Sequence, residues 1–330
     1  MNVVLKRLAI AGIAASLSTA AVAQEVNFGI ISTESSQNLK TVWNPFLAEM
    51  ASKTGLKINP FFASDYAGVI EGMRFGKVDL AWFGNKSAME AVDRAGGEVF
   101  AQTVDASGNP GYWSLLLTQA DSPLSKLDDV LACDKSLTFG LGDPNSTSGF
   151  LVPTTFIYAQ RGIDPKKCYK RVTNANHETN ALAVANGQVD FATNNTESMR
   201  RLQKTNPEAH AKIKVIWQSP LIPSDPLVWR KDLDAELKNK LYTFILTYGR
   251  IGNPDEVMRA RKTLADLDWA PFKPSSDAQL YPIRVLAISK DINKVLADTK
   301  LSDKDREARI AELEAQKAKY EKLMETVPQS

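Results

Sequence analysis

Leu137-Thr138-Phe139-Gly140-Leu141-Gly142-Asp143-Pro144-Asn145-Ser146-Thr147-Ser148-Gly149 reads as a buried strand, a tight turn and the first residues of a helix. The small and apolar run supplies the strand, and Asp-Pro-Asn supplies the turn chemistry. Ser146, Thr147 and Ser148 then fall where a helix leaves its first backbone N–H groups without partners. A single Ser or Thr at that place is ordinarily a cap. Three hydroxyls in succession exceed what one cap uses, and together with the positive end of the helix dipole they suit a tetrahedral oxyanion.

The same pattern recurs 111 residues earlier. Val26-Asn27-Phe28-Gly29-Ile30 precedes another Ser/Thr-rich turn, as Leu137 to Leu141 does, and Gly76-Lys77-Val78-Asp79-Leu80-Ala81 aligns with Gly187-Gln188-Val189-Asp190-Phe191-Ala192 in the same register. Two similar α/β units are therefore expected. In the first, Ser35 or Ser36 caps a helix whose Leu39, Val42, Trp43, Phe46, Leu47 and Met50 share one face. Gly55 ends that helix, a strand runs from Leu56 to Phe62, and Ser64 caps a second helix through Tyr66, Val69, Ile70 and Met73. Alternating strands and helices imply a largely parallel sheet.

Turn-rich stretches at residues 106–111 and 219–226 each precede an apolar strand, Tyr112 to Leu117 and Leu227 to Trp229. They read as two crossings between lobes, a paired hinge over a ligand cleft. The resulting organisation is residues 24–111 as the first part of lobe 1, 112–219 as lobe 2, 220–300 as the return of lobe 1, and 301–330 as a charged C-terminal helix. In that helix Ile310, Leu313, Lys317, Tyr320, Met324 and Val327 form a narrow stripe that suits packing on its own lobe or a homodimer.

Residues 1–23 read as a secretory signal peptide. Lys6 and Arg7 precede a short apolar run that ends in Ala21-Val22-Ala23. The rest of the chain holds 38 basic and 38 acidic residues, so its formal charge is zero and no nucleic-acid partner is indicated. Export makes a disulfide the natural state of the only two cysteines, Cys133 and Cys168. With two histidines and no CxxC, no metal is expected, and in the absence of a Gly-rich nucleotide loop no cofactor either.

Several stretches resemble the periplasmic phosphonate-binding proteins of phosphonate ABC transporters. They are Asp65-Tyr66-Ala67-Gly68, Gly111-Tyr112-Trp113-Ser114, Gly142 to Phe150, His177-Glu178-Thr179-Asn180-Ala181-Leu182-Ala183, Thr193-Asn194-Asn195-Thr196-Glu197 and Trp269-Ala270-Pro271-Phe272. The resemblance implies an α/β periplasmic binding protein of type II, two α/β lobes joined by a two-strand hinge, which delivers alkylphosphonates to an inner-membrane ABC permease. It implies that Ser146, Thr147, Ser148, Tyr66, Tyr112 and His177 bind the phosphonate, and that Glu197 and Asp225 face the amino group of an aminoalkylphosphonate such as 2-aminoethylphosphonate.

Taken alone, Tyr66 suits a core position, Glu197 a helix first turn and Asp225 a turn before Pro226. The chain departs from the family pattern in its two cysteines and in Phe83, where a tyrosine is familiar. Pro153 falls inside the cradle helix, where it removes an N–H. Two other readings stand beside this one. A receptor for phosphate, phosphite or another small oxyanion would use the same cradle. A periplasmic hydrolase is weaker, because Ser-Thr-Ser-Gly is not a Gly-x-Ser-x-Gly elbow.

Overall fold

The computed structural model describes residues 24–326, so the signal-peptide reading and Val327 lie outside the described residues. Lobe 1 is built on six strands, β1 (Glu25–Ile30), β2 (Lys57–Phe62), β3 (Leu80–Trp82), β4 (Gly97–Asp105), β12 (Pro226–Arg230) and β13 (Trp269–Pro274). They run in the order β13-β4-β12-β3-β1-β2. Lobe 2 has five, β6 (Ser114–Gln119), β7 (Thr138–Gly142), β8 (Arg171–Ala175), β9 (Phe191–Asn195) and β10 (Ile213–Gln218), in the order β10-β6-β9-β7-β8. Between them β5 (Gly111–Tyr112) and β11 (Ile222–Pro223) pair as a two-stranded crossing ribbon. A side chain at Gly111 would lie 2.0 Å from the Ile222 carbonyl oxygen, so the ribbon closes only on glycine.

The sheets are mixed rather than largely parallel. β1 runs parallel to β2 and β3, and β7 to β8 and β9, where helices make the crossovers. β12, β13, β6 and β10 enter from the crossings or returns and pair antiparallel.

The helices are α1 (Ser36–Thr54), α2 (Tyr66–Arg74), α3 (Asn85–Arg94), α4 (Pro165–Cys168), α5 (His177–Ala185), α6 (Thr196–Thr205), α7 (Pro207–Ala211), α8 (Ala235–Thr247), α9 (Pro254–Asp266), α10 (Tyr281–Leu296) and α11 (Asp303–Thr326). α1 buries Leu39, Trp43, Phe46, Leu47 and Met50 as its spacing requires. Asp65, not Ser64, caps α2, accepting from the Gly68 N–H; aspartate is as good an N-cap as serine, and it stands directly before the first helical residue. The stripe on α11 packs against α10 of the same chain. Leu313 is buried and Tyr320 lies 5.7 Å from the Tyr281 ring. Met324 is 39 % exposed, and the neighbouring Leu323 is half-buried instead.

The 111-residue echo has a structural counterpart. Asp79 accepts from the Asn27 N–H at 2.9 Å, and Asp190 accepts from the Thr138 N–H at 2.6 Å, so each ties the starts of two neighbouring parallel strands together. The N-caps also fall in register: Ser35 with Ser146, Asp65 with Asn176, and Gly84 with Asn195. Six helix starts thereby meet at the cleft between the lobes, three from each.

Each lobe has its own core. In lobe 1, Trp82 is held between Trp43 and Trp269, with ring centroids 5.5 and 5.6 Å away. In lobe 2, Phe139 stacks on Phe191 at 4.5 Å, and Tyr158 and Tyr169 pack beside them. Such buried aromatic rings contribute on the order of 2–3 kcal/mol each from area alone. The Cys133–Cys168 disulfide ties the loop before β7 to α4.

Candidate functional site: the cleft between the lobes

The cradle is the helix that begins at Ser146. Its first turns, Thr147–Leu151 and then Thr154–Tyr158, are π-helical, with the Leu151 N–H donating to the Ser146 carbonyl. Pro153 sits between the two wide turns. Its missing N–H would serve the Ser148 carbonyl in the wide register or the Gly149 carbonyl in the α register, and both find side chains: the Ser114 hydroxyl donates to the Ser148 carbonyl at 2.6 Å, and the Thr193 hydroxyl to the Gly149 carbonyl at 2.7 Å. Proline is thus accommodated by widening the helix and borrowing donors from β6 and β9. The turn before it is equally tight. A Cβ on Gly142 would come within 2.5 Å of the Gly149 backbone, so only glycine lets β7 pass beneath the cradle.

All eight residues singled out for the ligand line one narrow cleft. A larger open groove on lobe 1, between α1, α8 and α9, holds none of them. The three cradle hydroxyls share an arrangement. Ser146 Oγ accepts from the Gly149 N–H at 2.9 Å, Thr147 Oγ1 from the Lys86 N–H of α3 at 2.8 Å, and Ser148 Oγ from Asn195 Nδ2 at 3.0 Å. Each oxygen already receives a protein hydrogen bond and keeps its own hydrogen to donate; that of Thr147 has no protein acceptor among the described residues, whereas Ser146 and Ser148 Oγ also lie 3.5 and 3.4 Å from His177 Nε2.

His177, at the start of α5, is buried. Asn195 Oδ1 accepts from the Ser198 N–H, so Asn195 Nδ2 faces His177 Nε2, at 3.2 Å. His177 therefore accepts on Nε2 and carries its proton on Nδ1, which has no hydrogen-bond partner among the described residues. Burial, reinforced by the Arg201 charge, pushes the imidazole down to about 3. The ring is neutral at physiological pH, and a charge-assisted bond from an imidazolium is not what this position offers.

This sets a pH dependence. The native pKa lies below the ordinary 6.5, so between pH 3 and 6.5 the unfolded chain binds a proton that the native chain does not, and stability falls as pH falls through that window. Urea unfolding between pH 4 and 6 is expected to show a slope for the wild type steeper than that of His177→Asn. The excess should reach about 1 kcal/mol per pH unit, against a limit of roughly 1.4 for one proton. Equal slopes would mean that His177 titrates normally.

Tyr66, the first residue of α2, is buried, and burial together with the Asp143 and Asp225 charges pushes its phenol well up, so it is a neutral hydroxyl. Tyr112 is neutral for the same first reason, with Asp225 and Glu197 adding to it. Its hydrogen is committed: it donates to Asp225 Oδ1 at 2.8 Å. The structure thus groups Tyr112 with the acids rather than with the free hydroxyl donors.

At this second end of the cleft Glu197 and Asp225 are both buried. Burial is the main cause that raises both carboxyls, and Asp225 is raised further by the Glu197 charge. Glu197 accepts no hydrogen bond from a described residue, although Arg201, one turn further along α6, moderates its pKa. Two buried carboxyls at one end of a cleft are costly to ionise without a compensating positive charge.

The sequence reading missed Trp82, Thr33 and Arg201, which line the same cleft. Trp82 Nε1 and Thr33 Oγ1 are buried without hydrogen-bond partners, as is His177 Nδ1. These account for three of the seven such atoms among the described residues, and the concentration marks the cleft as built for a polar guest. A strand tryptophan carries no sequence signal for this role, but the i, i+4 spacing of Glu197 and Arg201 was legible.

The lobes meet across the cleft through ion pairs. Arg201 pairs with Glu34, Arg200 with Asp105 and Lys204 with Asp268, each joining α6 of lobe 2 to lobe 1. The Tyr66 N–H also donates to Asp143 Oδ2 at 3.2 Å. Among the described residues no helix is long and apolar enough to cross a membrane, and no group of three or more potential metal ligands occurs.

Comparison with known proteins gives concordant findings. The family profile described as ABC transporter, phosphonate, periplasmic substrate-binding protein matches residues 28–280. A phosphonates-binding periplasmic protein of Escherichia coli is 57 % identical over 291 residues, 88 % of this chain and 84 % of that one. A phosphate-import protein of Mycolicibacterium smegmatis is 32 % identical over 231 residues, 67 % and 70 % of the two chains. The crystal structure of a binding-protein component of an ABC phosphonate transporter from Pseudomonas aeruginosa superposes with a TM-score of 0.89 at 55 % identity, covering 92 % of this chain and 99 % of that one.

Proposed function

Because the chain belongs to the family of periplasmic substrate-binding proteins of phosphonate ABC transporters, we propose that it captures 2-aminoethylphosphonate or a close aminoalkylphosphonate between its lobes and delivers it to an inner-membrane permease. The observation that carries this reading is the set of cradle hydroxyls, each accepting a protein hydrogen bond and each keeping a hydrogen that a phosphonate oxygen can take, from Ser146 and Ser148 in place of long contacts to His177 Nε2. In this reading Ser146, Thr147 and Ser148 hold the phosphonate oxygens under the helix start. Tyr66 and the His177 Nδ1–H supply neutral donors from opposite lobes. Glu197 and Asp225 receive the ammonium, with Tyr112 fixing the Asp225 carboxyl. Ser146 and Ser148 lie 3.5 and 3.4 Å from His177 Nε2, but an imidazole pushed down to about 3 is too weak a base to activate them, which supports capture and release over turnover. Residues 1–23 would direct the chain to the periplasm.

Isothermal titration with 2-aminoethylphosphonate, ethylphosphonate, phosphate and phosphite tests the proposal. The expected order places the aminophosphonate first. A second reading, a receptor for inorganic phosphate, is favoured by the name of the Mycolicibacterium relative. It would be adopted if phosphate bound more tightly than both phosphonates, and it would leave the two buried carboxyls unexplained.

A further inference from the structure

The three helix starts that lobe 1 turns toward the cleft all meet oxygens of lobe 2. The Tyr66 N–H of α2 meets Asp143, the Lys86 N–H of α3 meets Thr147, and the Ser35 N–H at the start of α1 meets Glu178. The last contact is the fullest. Glu178 Oε2 accepts from the Ser35 N–H at 2.6 Å, and Oε1 accepts from Asn38 Nδ2 at 2.5 Å. The Glu178 N–H in turn donates to the Thr33 carbonyl at 3.3 Å. Ser35 is the register counterpart of Ser146, 111 residues on. The start of α1 is therefore lobe 1's version of the cradle, and the anion it holds is a carboxylate of the protein itself.

We propose that Glu178 is a positioning residue that latches the lobes shut over the ligand, a carboxylate on lobe 2 seated at the lobe 1 counterpart of the phosphonate cradle. This rests on the phosphonate-receptor reading. Glu178 follows His177 directly, so a ligand that orders the start of α5 also orders the latch. Glu34, beside Ser35, pairs with Arg201 of α6, and the segment Thr33–Asn38 is thereby gripped by α5 and α6, two of the three lobe 2 helices that begin at the cleft. Glu178 touches no ligand-facing hydroxyl; its effect is on opening. A carboxylate hydrogen-bonded to a helix start is a charge-assisted contact, and it exists only while the lobes are together.

The test is stopped-flow binding of 2-aminoethylphosphonate and ethylphosphonate to the full mature chain carrying Glu178→Ala, Glu178→Gln or Asn38→Ala. Glu178→Ala is expected to raise the dissociation rate of both ligands about tenfold. The association rates should stay within twofold, as should the affinity ratio between the two ligands. Glu178→Gln, which keeps one acceptor, and Asn38→Ala, which removes one donor, should fall between Ala and wild type. A ligand-free melting temperature equal to the wild type's would show that the latch acts on closure rather than folding. Unchanged dissociation rates in a folded Glu178→Ala protein, or a shifted ligand ratio, would overturn the latch. If only Glu178→Ala melts early, Asn38→Ala decides by the same rates. Failure of the wild type to bind either phosphonate would instead overturn the receptor reading.

Discussion

Thr147→Val is expected to lose about a hundredfold or more in phosphonate affinity while leaving the ligand-free protein folded. The hydroxyl has two partners in the proposed complex. It accepts from the Lys86 N–H across the cleft, and its hydrogen is directed to a phosphonate oxygen. Valine keeps the shape and removes both. A buried N–H at the start of α3 then has no acceptor when the lobes close, at a cost of roughly 1–3 kcal/mol, and the charged oxygen loses a donor of similar worth. A hundredfold corresponds to about 2.7 kcal/mol, within the combined cost of the two lost hydrogen bonds. Thr147→Ser restores the hydroxyl and should bind within a few-fold of wild type. Calorimetry with ethylphosphonate measures the effect free of the amine. Titration curves for the valine variant that match the wild type would reduce Thr147 to a helix-start residue with no role in binding.

The second large effect concerns selectivity. 2-Aminoethylphosphonate is expected to bind more tightly than ethylphosphonate by about 1.5–3 kcal/mol, roughly 10- to 150-fold. Glu197 and Asp225 are both buried, and burial holds both carboxyls above the usual range, with the Glu197 charge raising Asp225 further. An ammonium beside them relieves the repulsion. Ethylphosphonate leaves the pair buried with Tyr112, Asn85, the Trp82 ring and the more distant Arg201 for company. Glu197→Gln combined with Asp225→Asn preserves volume and removes both charges, so it should narrow the preference mainly by weakening the amino compound, with the cradle intact. Equal affinities in the wild type, or a double variant that keeps the full preference, would remove the amine from this end of the cleft.

What was legible in the sequence was local. The cradle is contained in thirteen residues, and its strand, turn and hydroxyls follow from backbone rules that need no distant partner. The repeat at 111 residues was legible because both copies keep the same aspartate, Asp79 and Asp190, for the same task at a strand start. Other features needed the third dimension. Pro153 looks disruptive until Ser114 and Thr193, far apart in sequence, are seen to serve the carbonyls it frees. Trp82 reads as core, and it is core on two sides; its third side opens on the cleft. Tyr112 offers a free hydroxyl in the sequence and a committed one in the fold, because Asp225 arrives from a segment more than a hundred residues away.

The place of β12 in its sheet bears on the order in which the chain acquires its structure. β12 lies between β3 and β4, with Val228 opposite Ala81 on one side and Val99 on the other. A chain emerging from its N-terminus therefore makes both neighbours long before the strand that joins them. Lobe 1 waits, its central slot unfilled, until about residue 230 has appeared. The strands of lobe 2, and its disulfide, all lie between residues 114 and 218, within one uninterrupted stretch. Long-range pairings form slowly because the loop they close must be ordered first. During refolding, amide protection is expected to arise in β6, β7 and β9 before it arises in β3 and β12. The lobe that holds most of the cradle would thus be the template already standing when the outer lobe completes itself around it.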